Sequence, residues 1–166
     1  QAPQLGGLAR QIQTTIDGRD VPAFLSDLMN RVNTHENIEV ITNAMVVDHE
    51  GLPGKFRTGF QIAPQMYYRQ IEHGVTILAT GAAPNRVEDY LLGCHEAVCT
   101  QLELDNRIAA LPTAAAAWEN VVMIQCVGSR TPDNPNCSRI CCQAAVKNAL
   151  HLLDANPELN IFVLYR

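Results

Sequence analysis

No stretch of this chain approaches the roughly 18 consecutive apolar residues needed to cross a bilayer, so no membrane insertion is expected. The first residues, QAPQLGGLARQIQTT, have no basic start, apolar stretch and cleavage site of the kind that marks a secretory signal. The soluble cytoplasm is therefore the expected compartment, where thiols stay reduced unless they hold a metal. Basic residues are also in deficit. With 12 Lys and Arg against 17 Asp and Glu, the net charge is −5, which argues against a nucleic-acid surface. Catalytic constellations are missing too: there is no paired acid and base, no Ser–His–Asp set and no phosphate loop. The five histidines, His35, His49, His73, His95 and His151, show no H-x3-H spacing, which favours surface or capping roles over metal ligation. Apart from four successive alanines there is no low-complexity tract, and no internal repeat.

What the chain has is enough apolar content, 47% of 166 residues, for one moderate core that two half-domains could share. The pattern reads as mixed α/β. Residues 5–16 suggest a Gly-rich start and a short helix, closed by a turn at Asp17-Gly18. A better helix is expected over about 20–34, with Asp20 as cap, Pro22 in its first turn and Val21, Phe24, Leu25, Leu28 and Val32 on one face. Residues 38–42, 44–48 and 56–62 read as strands, with turns at Thr42-Asn43 and Gly51–Gly54. The apolar run VTILA at 75–79 suits a strand buried on both faces. Residues 82–97 look irregular. A helix over about 100–111 ends at Pro112, and 114–117 is helix or linker. The last third then reads strand (120–125), loop, helix (138–155), strand (161–165), which is a βαβ arrangement.

The most distinctive feature lies in that last third. Four of the six cysteines, Cys126, Cys137, Cys141 and Cys142, follow a C-x10-C-x3-C-C pattern. In the βαβ reading Cys126 ends a strand and the others surround a helix start, with Ser138 as its cap. Free amides and the positive helix end there favour thiolates, and Gly128 and Ser129 would add backbone donors. Four thiolates suit a tetrahedral metal or an iron–sulfur cluster. Zinc stays open, although the usual pair of C-x2-C knuckles is missing, and so does a domain with buried thiols and no metal. Disulfides fit poorly with the expected compartment. Cys94 and Cys99 read as small buried apolar residues. Among the remaining candidates, Arg10 reads as solvated, Tyr67 and Tyr68 as anchors of a strand edge, and Glu103 and Asp105 as facing different ways on their helix.

The run VMIQCVGSR…NCSRICCQAAVKNAL resembles the A-type subunits of heterodisulfide reductase, a family of FAD-dependent iron–sulfur proteins whose flavin region is similar to thioredoxin reductase. GGLAR near the start, GVTILATGA at 74–82 and TQLELDNRI at 100–108 match in the same order, so that the resemblance extends over essentially the whole chain. It implies a partial two-dinucleotide-binding-type flavoprotein fold. Residues 1–112 would be an incomplete FAD-binding domain, and 113–166 the start of a second Rossmann-like unit. The family's first strand and G-x-G-x-x-G loop, expected before GGLAR, do not occur in this sequence, so an isolated segment is expected to bind FAD weakly and to be inactive alone. By position, the resemblance implies that Cys126, Cys137, Cys141 and Cys142 ligate a [4Fe-4S] cluster. It further implies that Gly6, Gly7 and Ala9 run beside FAD, that Ala79, Thr80 and Gly81 close the flavin domain near it, and that Val46 approaches its adenine end. The implied partners are other heterodisulfide-reductase-type subunits, ferredoxin, and hydrogenase or dehydrogenase subunits. A related flavoprotein from a membrane quinone complex would look the same over this stretch.

Overall fold

The computed structural model describes residues 2–85, 87–111, 113 and 117–165. The expected helix stop at Pro112 and most of the 114–117 segment lie outside them. The chain divides into two compact units. The first comprises Gln1–Arg10 with Ala23–Ala82, and the second Gln11–Pro22 with Ala83–Arg166.

The first unit is built on local pairing. Strands β1 (Ala44–Leu52), β2 (Lys55–Ile62) and β3 (Tyr67–His73) form an antiparallel sheet in the order β1-β2-β3. Leu52 pairs with Lys55, leaving a two-residue turn, Pro53-Gly54, in which Gly54 takes a positive φ of 87° that a residue with a Cβ rarely adopts. A bulge between Val46 and Asp48 shifts the register of β1. Past that bulge, Asp48 accepts hydrogen bonds from the Gly59 amide (2.9 Å) and the Tyr68 hydroxyl (3.0 Å). Helix α1 (Val21–Thr34) forms where expected but buries none of its residues fully, and Phe24 is 64% exposed.

Several expectations for this half fail. Residues 5–16 give only a 3-10 turn over Gly7–Gln11. Residues 38–42 join no ladder, and β3, polar in composition, takes the third place in the sheet. The run at 75–79 is the largest departure: it forms no strand, and Val75, Ile77 and Leu78 are 75–86% exposed. A doubly buried strand requires a neighbour on each side to satisfy its amides and carbonyls, and no described strand lies beside this run.

The second unit is a βαβ arrangement with one more helix on it. Strands β4 (Asn120–Ile124) and β5 (Asn160–Leu164) are parallel, joined through α3 (Cys141–Ala155), as parallel pairing requires a crossover. Helix α2 (Gln101–Ala110) starts at a complete capping box: Glu103 N–H donates to the Thr100 hydroxyl and the Glu103 carboxylate accepts from Thr100 N–H, satisfying two otherwise unpaired amides. Leu104, Met123, Ala145, Leu152 and Leu159 form the core, with Cys99, Ile108 and Trp118 packed against it.

Charge is buried inside this unit. Lys147 Nζ lies 2.7 Å from Asp105 Oδ1, and both side chains are under 10% exposed. Asp105 also accepts from the Gln13 amide and Lys147 donates to the Thr14 carbonyl. This pair therefore ties the segment Gln11–Pro22 to α2 and α3.

Candidate functional site

Cys126 lies two residues beyond β4, buried, at a φ of 63°. The left-handed backbone there reverses the chain, and Gly128 continues the turn at 68°. Gly128 has no room for a side chain, since an added Cβ would collide with Val87 and Asn85. Its carbonyl accepts from Asn85 Nδ2 (3.0 Å) and Asn134 Nδ2 (2.9 Å), which pins the loop that carries Cys137 towards α3. The Ser129 amide, expected to face a sulfur, instead donates to the Cys126 carbonyl at 3.1 Å.

Helix α3 opens at Cys141, three residues later than expected, so Cys141 and Cys142 are its first two residues. Its N-cap is Ile140, which offers no side-chain acceptor. Ser138 is therefore not the cap. Its hydroxyl donates to Cys141 Sγ at 3.3 Å, and the Arg139 amide, at a φ of 63°, donates to Cys137 Sγ at 3.3 Å. Ser138, whose hydroxyl oxygen could have accepted from the helix amides, serves a thiol instead.

The four sulfurs share one electrostatic neighbourhood. Partial burial pushes the Cys141 thiol up, but donation from the Ser138 hydroxyl, the Cys126 amide and both the side chain and amide of Cys142 outweighs it, and the net shift is downward. For Cys142 the direction reverses: desolvation and then the charges of Cys141, Cys126 and Cys137 push its thiol up. One thiol favoured as an anion beside another that is disfavoured is a usual property of neighbouring thiols. Among the described residues, no three Cys, His, Asp or Glu side chains already stand close enough to hold a metal ion. All six cysteines are free thiols. Cys99 is half-buried and its thiol is raised by burial, as expected of a packing residue, whereas Cys94 is exposed, against expectation.

The residues matched to the flavin lie in the first unit. Gly6 takes a φ of 106° and packs so that an added Cβ would stand 2.9 Å from Arg10 Cγ and 3.0 Å from Leu25 Cδ2. Arg10 is exposed, as expected, while its aliphatic stem lies over Gly6. Ala9 N–H donates to the Gly6 carbonyl at 3.0 Å. Gly7 and Gly81 have nothing within 4 Å of where a Cβ would stand, and both carry positive φ, so their backbone is open to close approach. Ala79, Thr80 and Gly81 are exposed and outside any strand. Val46 sits on β1, 65% exposed.

Two of the histidines take the capping role expected of them. His35 and His95 accept from amides two residues on, as turn caps. His49 and His73, however, are brought together across the sheet, a juxtaposition that shows only once the strands are in register.

The fold is mixed α/β, with a cysteine-lined strand-to-helix turn, and comparison with known proteins is more specific. No protein-family model matches the chain. It is 32% identical over 110 residues to the A-type subunit of ferredoxin:CoB-CoM heterodisulfide reductase from Methanosarcina mazei, covering 58% of this chain and 14% of that protein. It is 34% identical over 109 residues to the A-type subunit of H(2)/formate:CoB-CoM heterodisulfide,ferredoxin reductase from Methanococcus maripaludis, covering 57% and 17%. An A-type iron-sulfur subunit of CoB--CoM heterodisulfide reductase from Methanopyrus kandleri gives 34% over 108 residues, covering 57% and 16%. The chain matches the family of heterodisulfide reductase A-type subunits as a partial segment. The matched part is somewhat over half of the chain, less than its motifs suggest, and about one-sixth of the length of these relatives. No helix among the described residues is long and apolar enough to cross a membrane.

Proposed function

We propose that this chain is an electron-transfer segment of a flavin- and iron–sulfur-dependent oxidoreductase, of the kind formed by the A-type subunits of heterodisulfide reductase. The observation that carries the reading is the strand-to-helix turn that bears four cysteines, where the Ser138 hydroxyl and the Arg139 amide donate to Cys141 and Cys137 sulfurs, in a chain similar to proteins whose names include heterodisulfide reductase and ferredoxin. The donor set fits an iron–sulfur cluster by chemistry, since cysteine thiolates are its usual ligands. Cys126, Cys137, Cys141 and Cys142 would hold it, and when bound it supplies one-electron transfer. The chain's own contribution is to deliver donors to sulfur. The Ser138 hydroxyl, the Arg139 amide and the dipole of α3 stabilise negative charge at Cys137 and Cys141. Partial burial around Cys126 limits water.

For FAD, the open backbone at Gly7 and Gly81 supports the assignment of Gly6, Gly7, Ala9, Ala79, Thr80 and Gly81 to its surroundings, and Val46 is assigned by position alone. In this reading residues 1–112 belong to a flavin-binding domain and 113–166 to a second Rossmann-like unit, both within a longer protein. Ferredoxin, other heterodisulfide reductase subunits and hydrogenase or dehydrogenase subunits would be its partners, in the cytoplasm. A zinc-stabilised module is the second reading, favoured by the same four thiols.

Anaerobic reconstitution with iron and sulfide separates the two. About four iron and four sulfide per chain, with broad visible absorbance bleached on reduction, is the expected outcome. Cys141→Ala or Cys142→Ser should each abolish it. Iron retained in both variants, or one zinc in a colourless protein, contradicts the proposal.

A further inference from the structure

The best-defined polar cluster outside the cysteine site lies on the sheet of the first unit. The Thr58 hydroxyl on β2 is 2.7 Å from His49 Nδ1 on β1 and 2.7 Å from His73 Nε2 on β3. His49 and Thr58 are directly paired, as are Phe56 and His73. The two imidazoles lie 5.8 Å apart, centre to centre, stacked at 28°, and the Phe56 ring stands 5.1 Å from one and 5.7 Å from the other. The aromatic face thus fixes the ring orientations, and three strands fix their spacing.

The hydrogen positions follow from the acceptors. His73 Nδ1 faces the Val75 carbonyl at 3.0 Å, and a carbonyl only accepts, so Nδ1 carries the hydrogen and Nε2 of the neutral ring is a bare lone pair. The Thr58 hydroxyl then donates to His73 Nε2 and accepts from His49 Nδ1–H. A ring whose far N–H is held by a backbone carbonyl while its other nitrogen presents a lone pair is arranged as metal-bound histidines are, the carbonyl fixing both tautomer and orientation.

From this geometry we infer a divalent transition-metal site bridging β1 and β3, with His73 Nε2 and His49 Nδ1 as ligands. Metal–imidazole bonds are about 2.0–2.1 Å long, shorter than the 2.7 Å contacts now made to the hydroxyl. The ion takes the place of the Thr58 hydrogen between the rings, and the hydroxyl rotates away or stays as a weak third ligand. His49 loses its Nδ1 hydrogen and carries it on Nε2 instead, so no net oxidation or proton loss is needed. Two imidazoles, with water completing the shell, select the nitrogen-preferring ions such as Zn²⁺, Ni²⁺ and Cu²⁺ over Mg²⁺ and Ca²⁺. Among the described residues no third Cys, His, Asp or Glu side chain joins them, which makes this an exchangeable site that clasps the outer strands, separate from the thiols.

Zn²⁺ titration of the full chain, followed by ring-nitrogen NMR of the histidines, tests it, because the rings report this site whatever the thiols take up. The expected result is that His49 and His73 shift together with one midpoint while His35 and His95 stay unchanged. In His49→Gln the midpoint at His73 should move to at least about tenfold higher zinc. Ring signals of His49 and His73 that ignore zinc, or respond with separate midpoints, overturn the proposal without recourse to any variant. So does an unchanged His73 midpoint in His49→Gln.

Discussion

The two units of this chain are stabilised by different means. In the first, Phe60 is the one buried apolar side chain among the described residues, and cohesion comes from antiparallel ladders and cross-strand polar pairs at the surface. In the second, five apolar core side chains and Cys126 are buried, and Asp105, Gln125, Lys147 and Asn148 are buried with them. Local hairpins need little core because each strand satisfies its neighbour's backbone directly. The parallel pair β4–β5 cannot do this without α3, so its stability depends on contacts distant in sequence. The chemistry follows the same division. The imidazole pair sits on a sheet surface, whereas the thiols sit at the turn from β4 into α3.

The sharpest way to break the contrast is to strand a charge in the core. Lys147→Met leaves Asp105 buried without its partner and should destabilise the second unit by about 3–5 kcal/mol. Urea unfolding followed by hydrogen exchange should show protection lost in α2 and α3 but kept in β1–β3. Adding Asp105→Leu should recover most of the loss, because the pair as a whole is worth far less than one orphaned member.

A smaller effect, confined to the other unit, is expected for Gly59→Ala. The new methyl would stand against the Asp48 carboxylate and 2.5 Å from the Tyr68 hydroxyl, where those groups bond each other. Overpacking of this kind costs about 1–3 kcal/mol, read as lost exchange protection in β1–β3 alone. Thr100→Ala removes the capping box of α2 and should cost about 1 kcal/mol, seen as a lowered urea midpoint with an unchanged slope.

The smallest effect is a difference in reactivity. The Cys141 thiol is held down and the Cys142 thiol pushed up, so in the metal-free chain thiolate persists to lower pH at Cys141. Below the usual thiol range, iodoacetamide should therefore modify Cys141 faster than Cys142, and the gap should widen as pH falls. Peptide mass mapping over a pH series would detect it. Equal rates would show that the neighbouring donors do not act on Cys141.

Elements with strong local signals were legible in the sequence. Helices α1, α2 and α3 and strands β1, β2, β4 and β5 all occur near where turn residues and periodicity place them, whereas the capping box at Thr100 emerged only from the structure. Parallel pairing of β4 and β5 followed from the order strand, helix, strand. What escaped was set by partners far along the chain. The run at 75–79 has the composition of a buried strand but no described neighbour to pair with. The polar segment 67–73 has weak strand character yet pairs fully with β2. The start of α3 was misplaced because Ser138 looks like a cap, whereas its hydroxyl serves Cys141. The four cysteines were visible from spacing and composition. The histidine pair was not, because its members are 24 residues apart and meet only through strand register.

The central claim is that Cys126, Cys137, Cys141 and Cys142 act as one site. Alkylation of the full chain before and after anaerobic reconstitution with iron and sulfide, read cysteine by cysteine, tests it most directly. All four should become protected together while exposed Cys94 stays reactive. Any one of the four still labelling as before, or protection that extends equally to Cys94, would contradict it.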